Sequence, residues 1–127
     1  MNLLLDTAAA LWLASDDSRL SASARTAYED PANIAFLSVV SIWEILVKNK
    51  LGKLPLTKPI EDLLDTMKSD GVLILQLKES AVMRVAGLPD LHRDPFDRIL
   101  ICQALDEELT VVTPDHLMKG YPINTLW

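Results

Sequence analysis

The sequence has little of several features that would mark it as a specialised class of protein. Its single cysteine, Cys102, cannot form an internal disulfide, which is typical of a protein of the reducing cytoplasm. Only four glycines and seven prolines occur in 127 residues, which excludes collagen-like and linker sequence. No apolar run approaches the roughly 18 residues of a membrane helix, and no basic segment precedes the apolar N-terminus. We therefore expect neither a membrane span nor a signal peptide.

Positive charge is also scarce. Twelve lysines and arginines face 18 aspartates and glutamates, for a net charge of −6. By bulk charge alone the chain does not look like a nucleic-acid binder. A cluster of metal-binding carboxylates would also lower the net charge, and it would still suit a phosphate substrate because the metals supply the positive charge.

What is present is enough apolar material for a core, since half of the residues are hydrophobic. Short apolar runs alternate with helical patterns, and the length fits one domain over residues 1–127. The predicted strands are 2–5, 34–40, 72–77, 109–113 and 123–127, and the predicted helices are 8–14, 20–28, 41–51, 59–68, 79–86, 94–108 and the short 114–119. Strands that are apolar throughout are typical of a parallel sheet covered on both faces. The sequence therefore predicts an α/β fold with a central parallel sheet of four or five strands.

Four carboxylates are predicted to meet at one edge of this sheet. Asp6 ends the first strand, Glu44 lies in the first turn after the second strand, and Asp115 follows the fourth strand. Right-handed crossovers place the carboxyl ends of parallel strands at the same edge, where ligands bind. Asp97, in the first turn of helix 94–108, joins them if the loop 87–93 brings that helix start to the same end.

Each acid also has an ordinary structural interpretation. Glu44 matches a capping box with Ser41, Asp94 matches a helix N-cap, and Asp97 and Asp115 could complement helix dipoles. Helix capping is a weaker explanation for four acids that lie close together, because two like charges about 4 Å apart repel by roughly 4 kcal/mol at an effective dielectric near 20. Divalent cations remove that repulsion, and all-oxygen ligation favours Mg²⁺ or Mn²⁺.

Four segments together resemble a known family. LLLDTAAALW, SVVSIWEILVKNKLGKL, HRDPFDRILICQAL and LTVVTPD occur in that order across essentially the whole chain. They resemble a PIN-domain ribonuclease, specifically a VapC-type toxin of a type II toxin–antitoxin pair. The resemblance implies a PIN-like three-layer sandwich and a Mg²⁺- or Mn²⁺-dependent endoribonuclease.

The resemblance also implies roles for individual residues. The family's acidic metal ligands fall on Asp6, Glu44, Asp97 and Asp115. Its hydroxyl beside the last acid falls on Thr113, which joins the catalytic set, and the one after the first acid falls on Thr7. Asp94 is interpreted as a helix cap first and a ligand second. Ala8 stands where related sequences often have histidine, so no proton-transfer role is expected there.

The resemblance further implies partners. It predicts a VapB-type antitoxin, an RNA substrate, a homodimer and a cytoplasmic location. An acidic cleft suits a partner segment bearing arginine or lysine. Apolar surface for a partner helix is expected around the residues Leu11, Trp12, Leu63, Leu64 and Met67. One of Leu63 and Leu64 is expected in the core, and for Trp12 an exposed partner surface and the core are equally open.

Two other functions are compatible with parts of the sequence. Strand–Asp6–Thr7 also suits an aspartate-based phosphotransfer domain or phosphatase, but a dehalogenase-type phosphatase needs a second aspartate where this chain has Ala8. An inactive PIN-like binding module is the other alternative, and the intact set of four acids argues against it.

The remaining candidates are interpreted as structural. His92 and His116 lack the spacing of metal ligands and are expected to be solvated loop residues, with contact to RNA as the alternative. Trp43 and Phe96 flank the acids and are expected to pack the floor of the cleft. Lys48 follows Glu44 by four residues, which predicts an ordinary ion pair on a helix.

Overall fold

The computed structural model describes residues 1–127 and contains five strands and six α-helices. The strands are β1 (Asn2–Leu5), β2 (Ile34–Ser38), β3 (Leu73–Leu75), β4 (Thr110–Val112) and β5 (Asn124–Leu126). The helices are α1 (Thr7–Ala14), α2 (Ala22–Glu29), α3 (Val39–Lys50), α4 (Ile60–Ser69), α5 (Glu79–Met83) and α6 (Pro95–Glu107). Two short 3₁₀-helices cover Arg84–Gly87 and His116–Gly120. Every predicted element is present, with ends that differ by a few residues.

The five strands form one sheet in the order β3-β2-β1-β4-β5, and all neighbouring pairs are parallel. Leu5 lies opposite Leu37 on one side and Val112 on the other, so the central strands end at the same level. The Asp6 amide continues this ladder and donates to the Val112 carbonyl at 3.0 Å. The predicted parallel sheet is therefore confirmed, with five strands.

Helices cover both faces of the sheet, as predicted. Leu4 points into one apolar cluster, and its neighbours Leu3 and Leu5 point into another on the opposite face. The first cluster includes Leu100, Ile101, Cys102 and Val111, and the second includes Ala9, Ala24, Met67 and Val112. Because the strands are buried on both faces, they need apolar side chains at successive positions rather than alternate ones.

Several helix ends follow the local signals in the sequence. Ser21 caps α2 by accepting from the Ala24 amide, and Asp94 caps α6 by accepting from Phe96, with Pro95 as the first helical residue. Gly52 follows α3 with φ +73°, a conformation that favours glycine. Capping depends on residues close in sequence, so these ends were predictable.

The start of α3 differs from the prediction. The second strand ends at Ser38 instead of Val40, and Ser38 caps the helix by accepting from the Val40 amide at 3.0 Å. Ser41 is therefore inside the helix, and the predicted capping box between Ser41 and Glu44 is wrong. The earlier helix start places Glu44 in the second turn, with its side chain on the buried side of the helix.

The helix that carries Leu63 and Met67 also differs from expectation. Both side chains are buried beneath α4, at 6% and 4% exposure, so Met67 does not offer the predicted partner surface and Leu63 offers little of it. Leu64 is only partly buried, which confirms that one of the two leucines is core. No helix in the molecule combines the length and apolar character needed to cross a membrane.

Candidate active site

Asp6 stands at the end of the central strand and is almost completely buried, at 7% exposure. Its carboxylate caps α1 by accepting from the Ala9 amide at 2.7 Å, and it accepts from the Thr113 hydroxyl at 2.5 Å. Burial raises the pKa of Asp6 to about 6, and the charges of Glu44 and Asp115 add to this rise. The two hydrogen bonds oppose the rise without cancelling it. The Ala9 amide and the Thr113 hydroxyl thus hold the Asp6 carboxylate in place.

Glu44 enters the cleft from α3 and is also buried, at 5% exposure. The Thr7 hydroxyl donates to its Oε1 atom at 2.5 Å and lies 3.1 Å from Ser41 Oγ. The Lys48 ammonium donates to its Oε2 atom, which confirms the ion pair predicted from the spacing of four residues. Both oxygens of Glu44 therefore already have hydrogen-bond donors.

Lys48 has a second partner that the sequence did not indicate. Its ammonium lies 2.9 Å from Asp94 Oδ2, so one cation links α3 to the start of α6. Burial works against ionisation of Lys48 and Asp94, but the ion pairs outweigh it for both. They hold the pKa of Lys48 above its usual range and the pKa of Asp94 below it. The predicted cap role of Asp94 is confirmed, since its other oxygen accepts from the Phe96 amide at 2.8 Å.

Asp97, in the first turn of α6, has the opposite environment. Its carboxylate accepts no hydrogen bond, whereas Asp6, Glu44 and Asp115 each accept two or more. Burial raises the pKa of Asp97 to about 6, and repulsion by Asp94 and Glu44 adds to the rise. Asp97 is therefore the acid whose charge the protein itself balances least.

Asp115 follows β4 and caps the 3₁₀-helix that begins at His116, accepting from the Leu117 amide at 2.9 Å. Its other oxygen lies 2.6 Å from His92 Nε2. His92 is buried at 8% exposure, so the expectation of a solvated loop residue is wrong for it. His116 is exposed, as expected. The clue to His92 in the sequence was its place five residues before Asp97, in the loop that leads into α6.

Three groups lie close enough to share one metal ion. Ligand atoms of His92, Asp97 and Asp115 all lie within 4.8 Å of one another. Asp6 and Glu44 are outside this group, yet the charge of Asp115 helps to raise the pKa of Asp6 and the charge of Glu44 helps to raise the pKa of Asp97. An oxygen-rich donor set with an unbalanced carboxylate fits a hard divalent cation such as Mg²⁺ or Mn²⁺. Of the four predicted acids, only Asp97 and Asp115 belong to this tight cluster.

Aromatic residues near the cleft only partly match expectation. Phe96 is half-buried and contacts Trp43 edge to face, with ring centroids 4.8 Å apart. Trp43 itself is 61% exposed, so it does not pack the floor of the cleft as predicted. The buried side of its helix is formed by other residues, namely Val40, Ser41, Glu44 and Ile45.

A groove beside α1 adjoins the predicted partner surface. Its volume is about 410 Å³, and it is lined by residues that include Leu11, Trp12, Leu54, Leu56 and Leu63. Trp12 is half-buried, packing on Trp127 at 5.7 Å between ring centroids and beneath the Arg19 guanidinium at 4.9 Å. Trp12 therefore packs inward on one side and lines the groove on the other, and its role as a partner surface stays a prediction.

Comparisons with known proteins agree with this architecture. A chain from VapBC2 of Rickettsia felis bound to a promoter DNA fragment is 15% identical, with a TM-score of 0.66 and coverage of 98% of this chain and 97% of that chain. The DNA-bound VapBC of Salmonella typhimurium gives 15% identity and a TM-score of 0.69, with coverage of 98% and 96%. VapBC-1 of nontypeable Haemophilus influenzae gives 17% identity and a TM-score of 0.63, with coverage of 98% and 96%. These likenesses show the fold.

The sequence-based comparisons differ in what they find. No curated protein sequence matches this chain. The family model described as the PIN domain matches residues 3–123, which is nearly the whole chain. The chain belongs to the PIN domain family.

Proposed function

We propose that this protein is a Mg²⁺- or Mn²⁺-dependent endoribonuclease and the toxin of a VapBC-type toxin–antitoxin pair. The observation that carries the proposal is the environment of Asp97, a partly buried carboxylate with no hydrogen-bond donor beside three other acids. A protein gains nothing in stability from such a group, because burial and repulsion both disfavour its charged form. A divalent cation would balance that charge and account for the group's position.

In this proposal Asp6, Glu44, Asp97 and Asp115 hold the metal. When bound, the metal would lower the pKa of a water molecule and stabilise the charge that develops at phosphorus. The chain's own residues position these acids. Thr113 orients Asp6 through its hydroxyl and receives the Asp115 amide at 3.0 Å, so one threonine fixes two of the four acids.

Lys48 sets the charge of the proposed site. Its ammonium balances Glu44 and Asp94 together, so two of the cleft's negative charges share one cation already present in the chain. The remaining charge is concentrated on Asp6, Asp97 and Asp115. The Thr7 hydroxyl keeps Glu44 oriented toward the same space.

The direct test is cleavage of RNA by the purified chain with Mg²⁺ or Mn²⁺, with and without EDTA. We expect cleavage that EDTA abolishes and added metal restores. Asp97→Asn keeps the shape of the side chain and removes its charge, so it should reduce the cleavage rate by more than about 100-fold, beyond the loss typical of a residue that only supports a ligand. Asp65→Asn is the matched control, since Asp65 is exposed on α4, and it should cleave like the wild type.

The alternatives give different results in this test. Cleavage that persists in EDTA, or in Asp97→Asn, contradicts the proposed metal site. An aspartate-based phosphatase would hydrolyse a phosphate monoester and leave RNA intact. An inactive binding module would do neither, although it could still bind RNA.

The proposed partner is a VapB-type antitoxin. Support comes from the solved complexes with the same fold and from the groove beside α1, where Leu54 and Leu56 present apolar surface next to Trp12. A partner segment rich in arginine or lysine could also reach the acidic cleft and compete with metal. Co-expression with the neighbouring reading frame, followed by purification, tests the pairing.

Substitutions in the groove separate binding from folding. Leu56→Glu introduces charge at a half-buried position and should weaken antitoxin binding while RNA cleavage by the isolated chain persists. Trp12→Glu should weaken binding as well, but at a cost in stability because Trp12 packs on Trp127. A partner that binds Leu56→Glu as tightly as the wild type would show that the groove is not its site.

Two further expectations belong to this proposal. We expect a homodimer, which light scattering of the purified chain would detect. We also expect the protein to act in the cytoplasm, where an RNA substrate and a reducing environment occur together. Fractionation of cells that express the chain tests the location.

A further inference from the structure

His92 has an unusually complete set of hydrogen bonds for a residue outside the proposed ligand set. Its Nε2 atom lies 2.6 Å from Asp115 Oδ2, and its Nδ1 atom lies 2.8 Å from the Tyr121 hydroxyl. The same hydroxyl receives the backbone amide of His92 at 3.0 Å. The imidazole and phenol rings stack with centroids 5.4 Å apart. Tyr121 thus holds both the backbone and the ring of His92.

These contacts determine where the imidazole proton lies. The Tyr121 oxygen already accepts the His92 amide, and its own proton has no acceptor other than His92 Nδ1. Tyr121 is buried at 3% exposure, so leaving that proton without a partner would be costly. Nδ1 must therefore accept, which leaves the ring proton on Nε2, where it donates to Asp115.

The position of the proton excludes one role for His92 and supports another. A metal-binding imidazole must offer a lone pair, but the lone pair of this ring is on Nδ1 and faces Tyr121. His92 is therefore not ready to bind a metal through Nε2, although a ring nitrogen of His92 lies within 4.8 Å of ligand atoms of Asp97 and Asp115. Its Nε2–H group instead donates a hydrogen bond to Asp115.

We propose that His92 is a positioning residue that donates from Nε2 to Asp115, and that Tyr121 fixes the ring in this tautomer. One oxygen of Asp115 accepts from His92 and the other from the Leu117 amide, so the carboxylate cannot rotate. Partners of this kind orient metal ligands and typically contribute about 10–100-fold to metal affinity. This inference rests on the proposed function, because it assigns Asp115 a metal to bind.

The tautomer can be measured without metal or RNA. The chain contains only two histidines, so His116→Gln leaves one imidazole in the protein. Long-range ¹H–¹⁵N correlation spectra of this variant, labelled in histidine and prepared without a polyhistidine tag, should show a proton-bearing Nε2 and a bare Nδ1. The same pattern should persist when Mg²⁺ is added. A bare Nε2, or loss of its proton on addition of Mg²⁺, would overturn the proposal and make His92 a ligand.

Metal affinity provides the second measurement. In calorimetric titrations with Mn²⁺, His92→Phe should bind about 10–100-fold more weakly than wild type because Asp115 loses its donor. His92→Gln places an amide donor near the position of Nε2 and should recover most of that loss. Equal affinities for the two variants would overturn the positioning role, and the spectra decide the tautomer even if His92→Phe does not fold. Failure of the wild type to bind Mn²⁺ contradicts the proposed function, whereas a wrong tautomer in a protein that binds Mn²⁺ contradicts this inference alone.

Discussion

The two sides of the acidic cleft balance their charge differently. On the lysine side, the ammonium of Lys48 pairs with Glu44 and Asp94. On the open side, Asp97 and Asp115 have no lysine or arginine partner, and Asp97 has no hydrogen-bond donor at all. The pKa values follow this division, since Asp94 titrates below its usual range and Asp97 at about 6. Because the chain supplies Lys48 to the lysine side and no lysine or arginine to the open side, a cation from solution is needed to balance Asp97 and Asp115.

Removing Lys48 should abolish the difference between the lysine side and the open side, and we expect it to have the largest effect on stability. Lys48→Met leaves the buried Glu44 without its cation, so the free energy of unfolding should fall by about 2 kcal/mol, less than for a fully buried pair because Lys48 is partly exposed. Urea denaturation at pH 7 in EDTA measures this loss. Mg²⁺ should reduce it, because a divalent cation can then balance Glu44 as well.

An exposed ion pair provides the control for that change. Lys78 pairs with Glu107 at 2.8 Å, and its side chain is 60% exposed. Lys78→Met should therefore change stability by less than about 1 kcal/mol and show no dependence on Mg²⁺. If the loss of stability in Lys48→Met were also independent of Mg²⁺, a divalent cation would not be able to replace the charge of Lys48 beside Glu44.

Neutralising the open side should stabilise the metal-free protein. The pKa of Asp97 in the folded state is about 6, above its usual 3.8, so ionisation costs more when the chain is folded. The wild type therefore loses stability as the pH rises from about 4 through 6, and Asp97→Asn avoids this loss. In EDTA at pH 7 we expect Asp97→Asn to be more stable by on the order of 1–2 kcal/mol, allowing for solvent screening.

Two conditions sharpen this prediction. Near pH 4 the advantage of Asp97→Asn should disappear, because the wild-type carboxyl is then protonated in the folded state. With saturating Mg²⁺ at pH 7 the order should reverse, since only the wild type keeps the full ligand set and gains stability from binding. A variant that is less stable than wild type in EDTA would show that Asp97 has a favourable partner in the apo protein.

The smallest effect is expected at Asp94. Serine caps a helix about as well as aspartate, so Asp94→Ser should lose only the ion pair with Lys48, about 0.5–1 kcal/mol. RNA cleavage should remain within a few-fold of wild type. Asp94→Ala should lose roughly a further 1 kcal/mol with the cap. A collapse of cleavage in Asp94→Ser, as large as that of Asp97→Asn, would make Asp94 a ligand instead of a cap.

Much of the architecture was predictable because its causes are local. Apolar runs marked all five strands, and Ser21, Gly52 and Asp94 marked helix ends through contacts within a few residues. The start of α3 was not predicted, because two serines compete for the cap. Ser38 is the cap, and its hydroxyl also donates to Gln103 at 2.6 Å, a contact 65 residues away in the chain.

In the candidate site, too, the sequence indicated some features and missed others. The sequence indicated Asp6, Glu44 and Asp115, because residues that follow parallel strands meet at one edge. It did not indicate that Lys48 contacts Asp94 across 46 residues, or that His92 contacts Asp115 across 23. The route of the loop before α6 determines both, and Arg98 fixes that loop by donating to the Pro89 carbonyl at 3.0 Å.

By itself, the sequence determined the layered α/β fold and the acids at the edge of the sheet, because hydrophobic pattern and strand direction are enough to place them. The tertiary structure alone decided how those acids are balanced. Whether a carboxylate contacts an ammonium, a histidine or no partner depends on side chains that packing brings within about 3 Å. Hydrogen bonds at that range weaken steeply with distance and angle. The charge of the cleft is therefore a property of the folded chain, while its acidic character can already be read in the sequence.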